Sequence, residues 1–222
     1  IGHSLSINLE SILRKRSRPE STAVVLTRVE VDENDRGFQF PTKPVGPILS
    51  DQQVMSEDWN IAETKQGPRR VVASPLPKRI LDLEVIKALV AEKAIVICCG
   101  GGGIPVIHNI DHYVGVPAVI DKDRLSTLLA IEIGAEALII STAIDAIRTG
   151  FGTSDEIIHS IMSVAEAKKY IAEGEFPPGS MGPKVESLID AVEHVEGIKS
   201  LLCQPGDAIK ALRGDSGTII TK

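Results

Sequence analysis

From Asp82 to the C-terminus the chain alternates two hydrophobic periods, and this alternation narrows the available folds more than any single motif. Val85, Ile86, Leu89 and Val90 fall at helical spacing behind Asp82, a predicted N-cap, and the strand-like run "AIVICC" follows. "VPAVI" then predicts a short strand, "DKDRLSTLLAIEIG" a helix closed by Gly134, and "ALIIST" a buried strand. Ser163 and Glu166 form an S-x-x-E capping box ahead of "VAEAKKYIAE", with Gly174 at its end. Val185, Leu188, Ile189, Val192 and Val195 mark one face of a helix that Pro183 can start and Gly197 can stop. "SLLC" and "TIIT" read as final strands around a short helix at 206–212. Strands apolar on both faces, alternating with helices, predict an α/β chain: a three-layer αβα sandwich with a mostly parallel central sheet. Ligands are expected at the carboxyl ends of its strands.

The first third is less regular. Leu5, Leu9, Ile12 and Leu13 predict a helix, and the basic run Arg14-Lys15-Arg16-Ser17-Arg18 suits its C-terminal end, where cations complement the helix dipole. "TAVVLTRVEV" alternates like a strand. From Asp32 to Pro68 the residues are polar, with prolines at 41, 44, 47 and 68, too long for an ordinary loop. The expected organisation is one domain over 1–222, with residues 32–68 inserted as a small projecting lobe or lid.

Charge and residue usage remove several classes. A net charge of -6 leaves no broad basic face, so no nucleic-acid partner is expected. No apolar run approaches the roughly 18–20 residues of a membrane helix, so no membrane partner is expected and the cytoplasm is the default location. Cys98, Cys99 and Cys203 show no metal spacing, and Cys98 and Cys99, read as strand residues, should face opposite sides as buried thiols. His108 and His112 are four apart, but Asn109, Asp111 and Gly115 mark a turn there, so no protein metal site is expected.

Four stretches carry the chemistry. Gly100-Gly101-Gly102-Gly103 follows the carboxyl end of "AIVICC", where glycines permit positive φ and let N–H groups approach an anion; a flexible joint is the competing reading. A dinucleotide fingerprint is excluded because extended "IPVI", not a helix, follows the loop. Asp121-Lys122-Asp123 sits where a strand meets a helix, and either orients a lysine at a phosphate or simply caps the helix. "PPGSMGPKV", 177–185, places Lys184 in a helix first turn, where the dipole disfavours it unless an anion binds; chance surface placement is the competing reading. "PTKPVG", 41–46, presents Lys43 between prolines. Several lysines and glycine amides without a nucleophile suit phosphoryl transfer.

Taken in order, "FQFPTKPVGP", "RRVVASP", "GGGGIPVI", "AVIDKD", "GSMGPKVE" and "GDSGTIITK" resemble carbamate kinase, of the amino-acid kinase fold, across nearly the whole chain. The chain is similar also to the carbamate-kinase-like paralogues of purine-degradation gene clusters. The resemblance implies reversible phosphoryl transfer between carbamoyl phosphate and ADP, giving ATP and carbamate, in arginine or purine degradation. It implies Mg²⁺ held mainly by the nucleotide phosphates and a homodimer. By motif, Lys184 neutralises the transferring phosphoryl group, Lys122 contacts nucleotide phosphates, Asp123 orients the lysines, and Lys43 reaches the carbamoyl phosphate end. Gly100, Gly101, Gly102 and Gly103 line the substrate side; Phe151, Gly152, Met181 and Gly182 border the nucleotide. The family's N-terminal "GGNA" and "HGNGPQVG" loops have no counterpart, so these 222 residues alone are expected to be inactive. Ala143 stands where the family commonly has aspartate, and "ETKQGPRR" replaces "EDAGRGWRR". The alternatives are a non-catalytic nucleotide-binding regulatory paralogue or another phosphotransferase of the same fold.

Overall fold

The computed structural model describes residues 1–64, 66–177 and 180–222. Lys65 of "ETKQGPRR", and Pro178 and Gly179 of "PPGSMGPKV", lie outside the described residues. The chain forms two compact units, Ile1–Leu125 and Ser126–Lys222.

In chain order the first unit contains α1 (Gly2–Lys15), β1 (Thr22–Val24), β2 (Arg28–Glu30), α2 (Arg36–Gln39), β3 (Lys43–Val45), α3 (Asp51–Ser56) and β4 (Ile61–Thr64). It continues with β5 (Gly67–Val72), β6 (Arg79–Ile80), α4 (Leu83–Ala91), β7 (Ile95–Ile97), β8 (Ile104–Asn109), β9 (His112–Gly115) and the first turn of α5 (Lys122–Ile133). β1 and β7 pair in parallel, and so do β2 and β8. β6 and β9 add antiparallel edges, giving the order β6-β2-β8-β9. The polar stretch after Asp32 builds a separate antiparallel sheet, β3-β5-β4, which carries Lys43 at the first position of β3.

Several local expectations change here. "TAVVLTRVEV" divides into β1 and β2, which belong to different sheets. "VPAVI" forms no strand; only Ala118 makes an isolated bridge, to Ala73, in a segment broken by Pro117. "HNIDHYVG" is not all turn, because His108 and His112 lie on the paired strands of a hairpin. Asp82 does precede α4, but its carboxylate makes no cap. It accepts instead from the Arg28 N–H at 2.7 Å and pairs with the Arg28 guanidinium at 2.6 Å. Of the α4 stripe Ile86 is buried, whereas Val85 and Val90 are exposed.

The second unit contains the rest of α5, then β10 (Ala137–Ser141), β11 (Ile147–Thr149), β12 (Ile157–His159), β13 (Ile161–Ser163), α6 (Val164–Ala172), α7 (Met181–His194), β14 (Lys199–Cys203), α8 (Ala208–Arg213) and β15 (Thr218–Thr221). Its sheet runs β10-β14-β15-β13, parallel at β10/β14 and β13/β15 and antiparallel between β14 and β15. Both four-stranded sheets are therefore mixed: the central pairing is parallel in β6-β2-β8-β9 and antiparallel in β10-β14-β15-β13. Ser163 and Glu166 close the capping box: the Glu166 N–H donates to Ser163 Oγ at 3.2 Å, and the Ser163 N–H donates to Glu166 Oε2 at 2.8 Å. α7 buries Val185, Leu188, Ile189, Ala191 and Val192 against β10, β14 and β15, forming the core of this unit. Removing a fully buried leucine side chain of this kind costs about 2–5 kcal/mol.

Candidate active site

In the first unit the site begins where β7 stops, at Ile97. Cys98 and Cys99 lie beyond the strand and do not alternate across it. Cys99 has φ +62°, and the Gly100 N–H donates to the Cys98 carbonyl at 2.8 Å, so the chain makes a γ-turn on a non-glycine residue. A buried hydroxyl holds it: the Cys99 N–H donates to Thr27 Oγ1 at 2.7 Å. The Cys99 carbonyl then accepts from Gly102 at 2.9 Å and from Gly103 at 2.6 Å. Three of the four glycine amides are thus spent within the loop. Among the described residues Gly101, which is exposed, donates its N–H to no acceptor within the protein.

The loop is fixed rather than free to swing. Gly102 has φ +135° and sits on Ile120, where an added Cβ falls 2.9 Å from the carbonyl carbon and closer still to its oxygen. A Cβ on Gly103, at φ +75°, falls 2.5 Å from Val29 Cγ2. This packing sets the loop against the segment that opens α5.

That opening is "IDKD". Asp121 is buried, and its Oδ1 caps the helix by accepting from the N–H groups of Asp123 at 2.9 Å and Arg124 at 3.4 Å. Its Oδ2 pairs with Lys43 Nζ, bringing a β3 lysine to the start of α5. Burial pushes the Asp121 carboxyl up, but the Lys43 ammonium and the two amides together pull it lower, leaving it below the ordinary carboxylate range. Lys122 Nζ lies 3.6 Å from Asp123, whose side chain is buried while that of Lys122 is half exposed. Gly100 to Gly103, Lys43, Lys122 and Asp123 thus converge on one end of α5. Two ammonium groups and a helix N-terminus there can hold an anion, and the two carboxylates can set their positions.

In the second unit Met181, Gly182 and Lys184 occupy the first turns of α7, Gly182 buried and Lys184 half-buried. The Gly182 N–H donates to the Pro177 carbonyl at 3.1 Å. Phe151 and Gly152 lie on the loop after β11, with Phe151 70% exposed. Carboxylates pin this loop: the Gly150 N–H donates to Glu175 at 2.7 Å and the Gly152 N–H to Glu156 at 2.9 Å. Arg148 in turn pairs with both Glu156 and Asp145. Ala143 is exposed on the bend after β10.

Two roles escaped the sequence reading. Asp121, rather than Asp123, anchors Lys43, and Thr27 supports the glycine loop. The first was within reach, because Asp121 stands at the cap position. The second offers only a hydroxyl between Leu26 and Arg28 in "VVLTRV", with nothing to say what it meets.

Residues 44–203 match the amino acid kinase family. Over its whole length the chain is 41% identical to the carbamate kinase of Clostridium perfringens, covering 72% of that protein. It is equally 41% identical, with the same coverage, to the carbamate kinase-like protein YahI of Escherichia coli. Among solved structures, the carbamate kinase of Giardia lamblia bound to AMP-PNP superposes with a TM-score of 0.88 at 32% identity, matching all of this chain and 72% of that one. The ordered pairings, the glycine loop packed on "IDKD" and these matches agree, and the chain belongs to the amino acid kinase family, among its carbamate kinases and carbamate-kinase-like members.

Proposed function

We propose that this protein is a carbamate kinase, which moves a phosphoryl group reversibly between carbamoyl phosphate and ADP. The observation that carries the reading is the Lys43–Asp121 pair at the glycine loop, which places a positioned cation beside the N-terminus of α5. In the ATP-forming direction a β-phosphate oxygen of ADP attacks phosphorus, and the bond from phosphorus to the carbamoyl oxygen breaks, leaving carbamate. No protein nucleophile is needed, so catalysis is positioning and charge neutralisation. Lys43 neutralises the phosphate of carbamoyl phosphate, with Gly100 to Gly103 as the wall it binds against. Lys122, set by Asp123, meets the nucleotide phosphates. Lys184 neutralises the phosphoryl group in transfer, while Phe151, Gly152, Met181 and Gly182 border the nucleotide.

Mg²⁺, when bound with the nucleotide, would supply charge screening at its phosphates. The hard carboxylate oxygens of Asp121 and Asp123 suit such an ion, which commonly uses one or two carboxylates together with phosphate oxygens. The β3-β5-β4 sheet serves as the projecting lobe that delivers Lys43. A cytoplasmic homodimer completes the reading.

The test is ATP formation from carbamoyl phosphate and ADP by the full-length protein, with ADP binding followed by calorimetry. Lys43→Met and Lys184→Met should each lower turnover by about 10²–10³-fold, the usual cost of deleting one charge-stabilising donor, with ADP binding retained in Lys43→Met. ADP binding without ATP formation by the parent protein refutes the kinase reading in favour of a regulatory relative.

A further inference from the structure

The two adjacent thiols at the start of the glycine loop have no part in phosphoryl transfer. We propose that Cys98 and Cys99 form a peroxide-responsive pair whose oxidation to a vicinal disulfide unlocks the glycine loop.

Geometry carries the proposal. All three cysteines are free, and these two share one γ-turn immediately before Gly100. They differ in the way that an attacking and a resolving thiol differ. Cys98 is half-buried and Cys99 is 6% exposed. The hydrogen bond from Cys99 lowers the Cys98 thiol against the opposing effect of burial, and the same contact, with burial, raises Cys99. A lowered, accessible thiol beside a resolving cysteine is the arrangement found at redox-sensing sites. Cys203 contrasts with both: it is buried, burial raises its thiol, and it sits at the end of β14 in the second unit.

The reaction balances with a hydroperoxide as the oxidant. The Cys98 thiolate attacks the peroxide oxygen, the O–O bond breaks, and water leaves after protonation, giving a sulfenic acid. The Cys99 sulfur then attacks the Cys98 sulfur, the S–O bond breaks, and a second water leaves. Two thiols and one hydrogen peroxide become one disulfide and two waters. Adjacent Cα atoms are about 3.8 Å apart, closer than the roughly 4.4–6.8 Å usual for a disulfide, so the bond is strained and readily reduced, as reversible disulfides are.

Ring closure also changes the backbone. The γ-turn at Cys99 is fixed by the Thr27 hydroxyl, and the Cys99 carbonyl orders Gly102 and Gly103. A disulfide ring that rotates this peptide takes those acceptors away from the loop. The consequence for turnover rests on the reading of the loop as the substrate wall, whereas the thiol chemistry does not.

The experiment treats the full-length protein with hydrogen peroxide, then denatures, alkylates and maps it by mass. Alkylated cysteines within this 222-residue region should fall from three to one, leaving Cys203 labelled, and the peptide between Lys93 and Lys122 should lose two hydrogens. Dithiothreitol should restore all three. Cys98→Ser and Cys99→Ser should each abolish the two-hydrogen loss, and the parent protein's mass map is decisive even if a variant folds poorly. A peptide that keeps both thiols, gains oxygen without losing hydrogen, or becomes linked to another chain overturns the proposal. If the disulfide forms while ATP formation is unchanged, loop unlocking is refuted. An oxidised protein that loses ATP formation and regains it with dithiothreitol supports the proposal in full.

Discussion

Replacing Gly102 by alanine tests whether the glycine loop is a fixed wall or a flexible joint. At φ +135° an alanine sits in a region that glycine occupies almost alone, and holding it there costs about 1–3 kcal/mol. Its Cβ also meets the Ile120 carbonyl group, 2.9 Å from the carbon, and the obstacle is backbone that cannot turn aside like a side-chain tip. Overpacking of this kind adds about 1–3 kcal/mol, giving roughly 2–6 kcal/mol in all. Ile120 precedes Asp121, so relief by backbone movement displaces the residue that anchors Lys43. A midrange loss of about 4 kcal/mol lowers Tm by roughly 8–16 °C in a chain of this size. The internal control is Gly101→Ala: that position has open space around its Cβ and no positive φ, so its Tm should stay within about 2 °C of the parent, as surface substitutions usually do. Thermal unfolding followed by circular dichroism, beside the ATP-formation assay, reads both variants. If Gly102→Ala melts with the parent and turns over normally, the loop is a joint and the packing argument is wrong.

The remaining predictions concern electrostatics and a cap. The folded Asp121 carboxyl is held below its unfolded value, so its ionised form stabilises the fold above the unfolded carboxylate range, and that contribution is lost as pH falls through the folded value. Lys43→Met removes the cation and leaves burial to push Asp121 up, so acid unfolding should begin at higher pH than in the parent; an unchanged acid midpoint refutes the pairing. Ser163→Ala removes the α6 capping box and should cost about 1 kcal/mol, read as the midpoint shift in urea at constant slope. The loss should leave ATP formation at saturating substrate unaltered, because α6 carries none of the proposed site residues.

What the sequence made legible was the local periodicity, and what it concealed was the choice of long-range partner. The capping box is legible because all its atoms lie within four residues of one another. The same reasoning applied to Asp82 is wrong, because Arg28, fifty-four residues away, presents a guanidinium that binds the carboxylate better than a helix amide does. Cys99 repeats the lesson. "AIVICC" reads as one strand, but Thr27, seventy-two residues away, captures the Cys99 amide and turns the chain before the glycines begin. The sequence therefore located the loop and its lysines but not the device that holds them. That device consists of Thr27 on one side, Ile120 on the other, and Asp121 tying Lys43 to the helix. Each is a small or ordinary residue whose importance comes from what it touches. A cradle made only of glycines would have to lose its conformational freedom each time an anion bound. Packing Gly102 and Gly103 against backbone and side chain removes that freedom during folding, so the loop meets its phosphate already ordered.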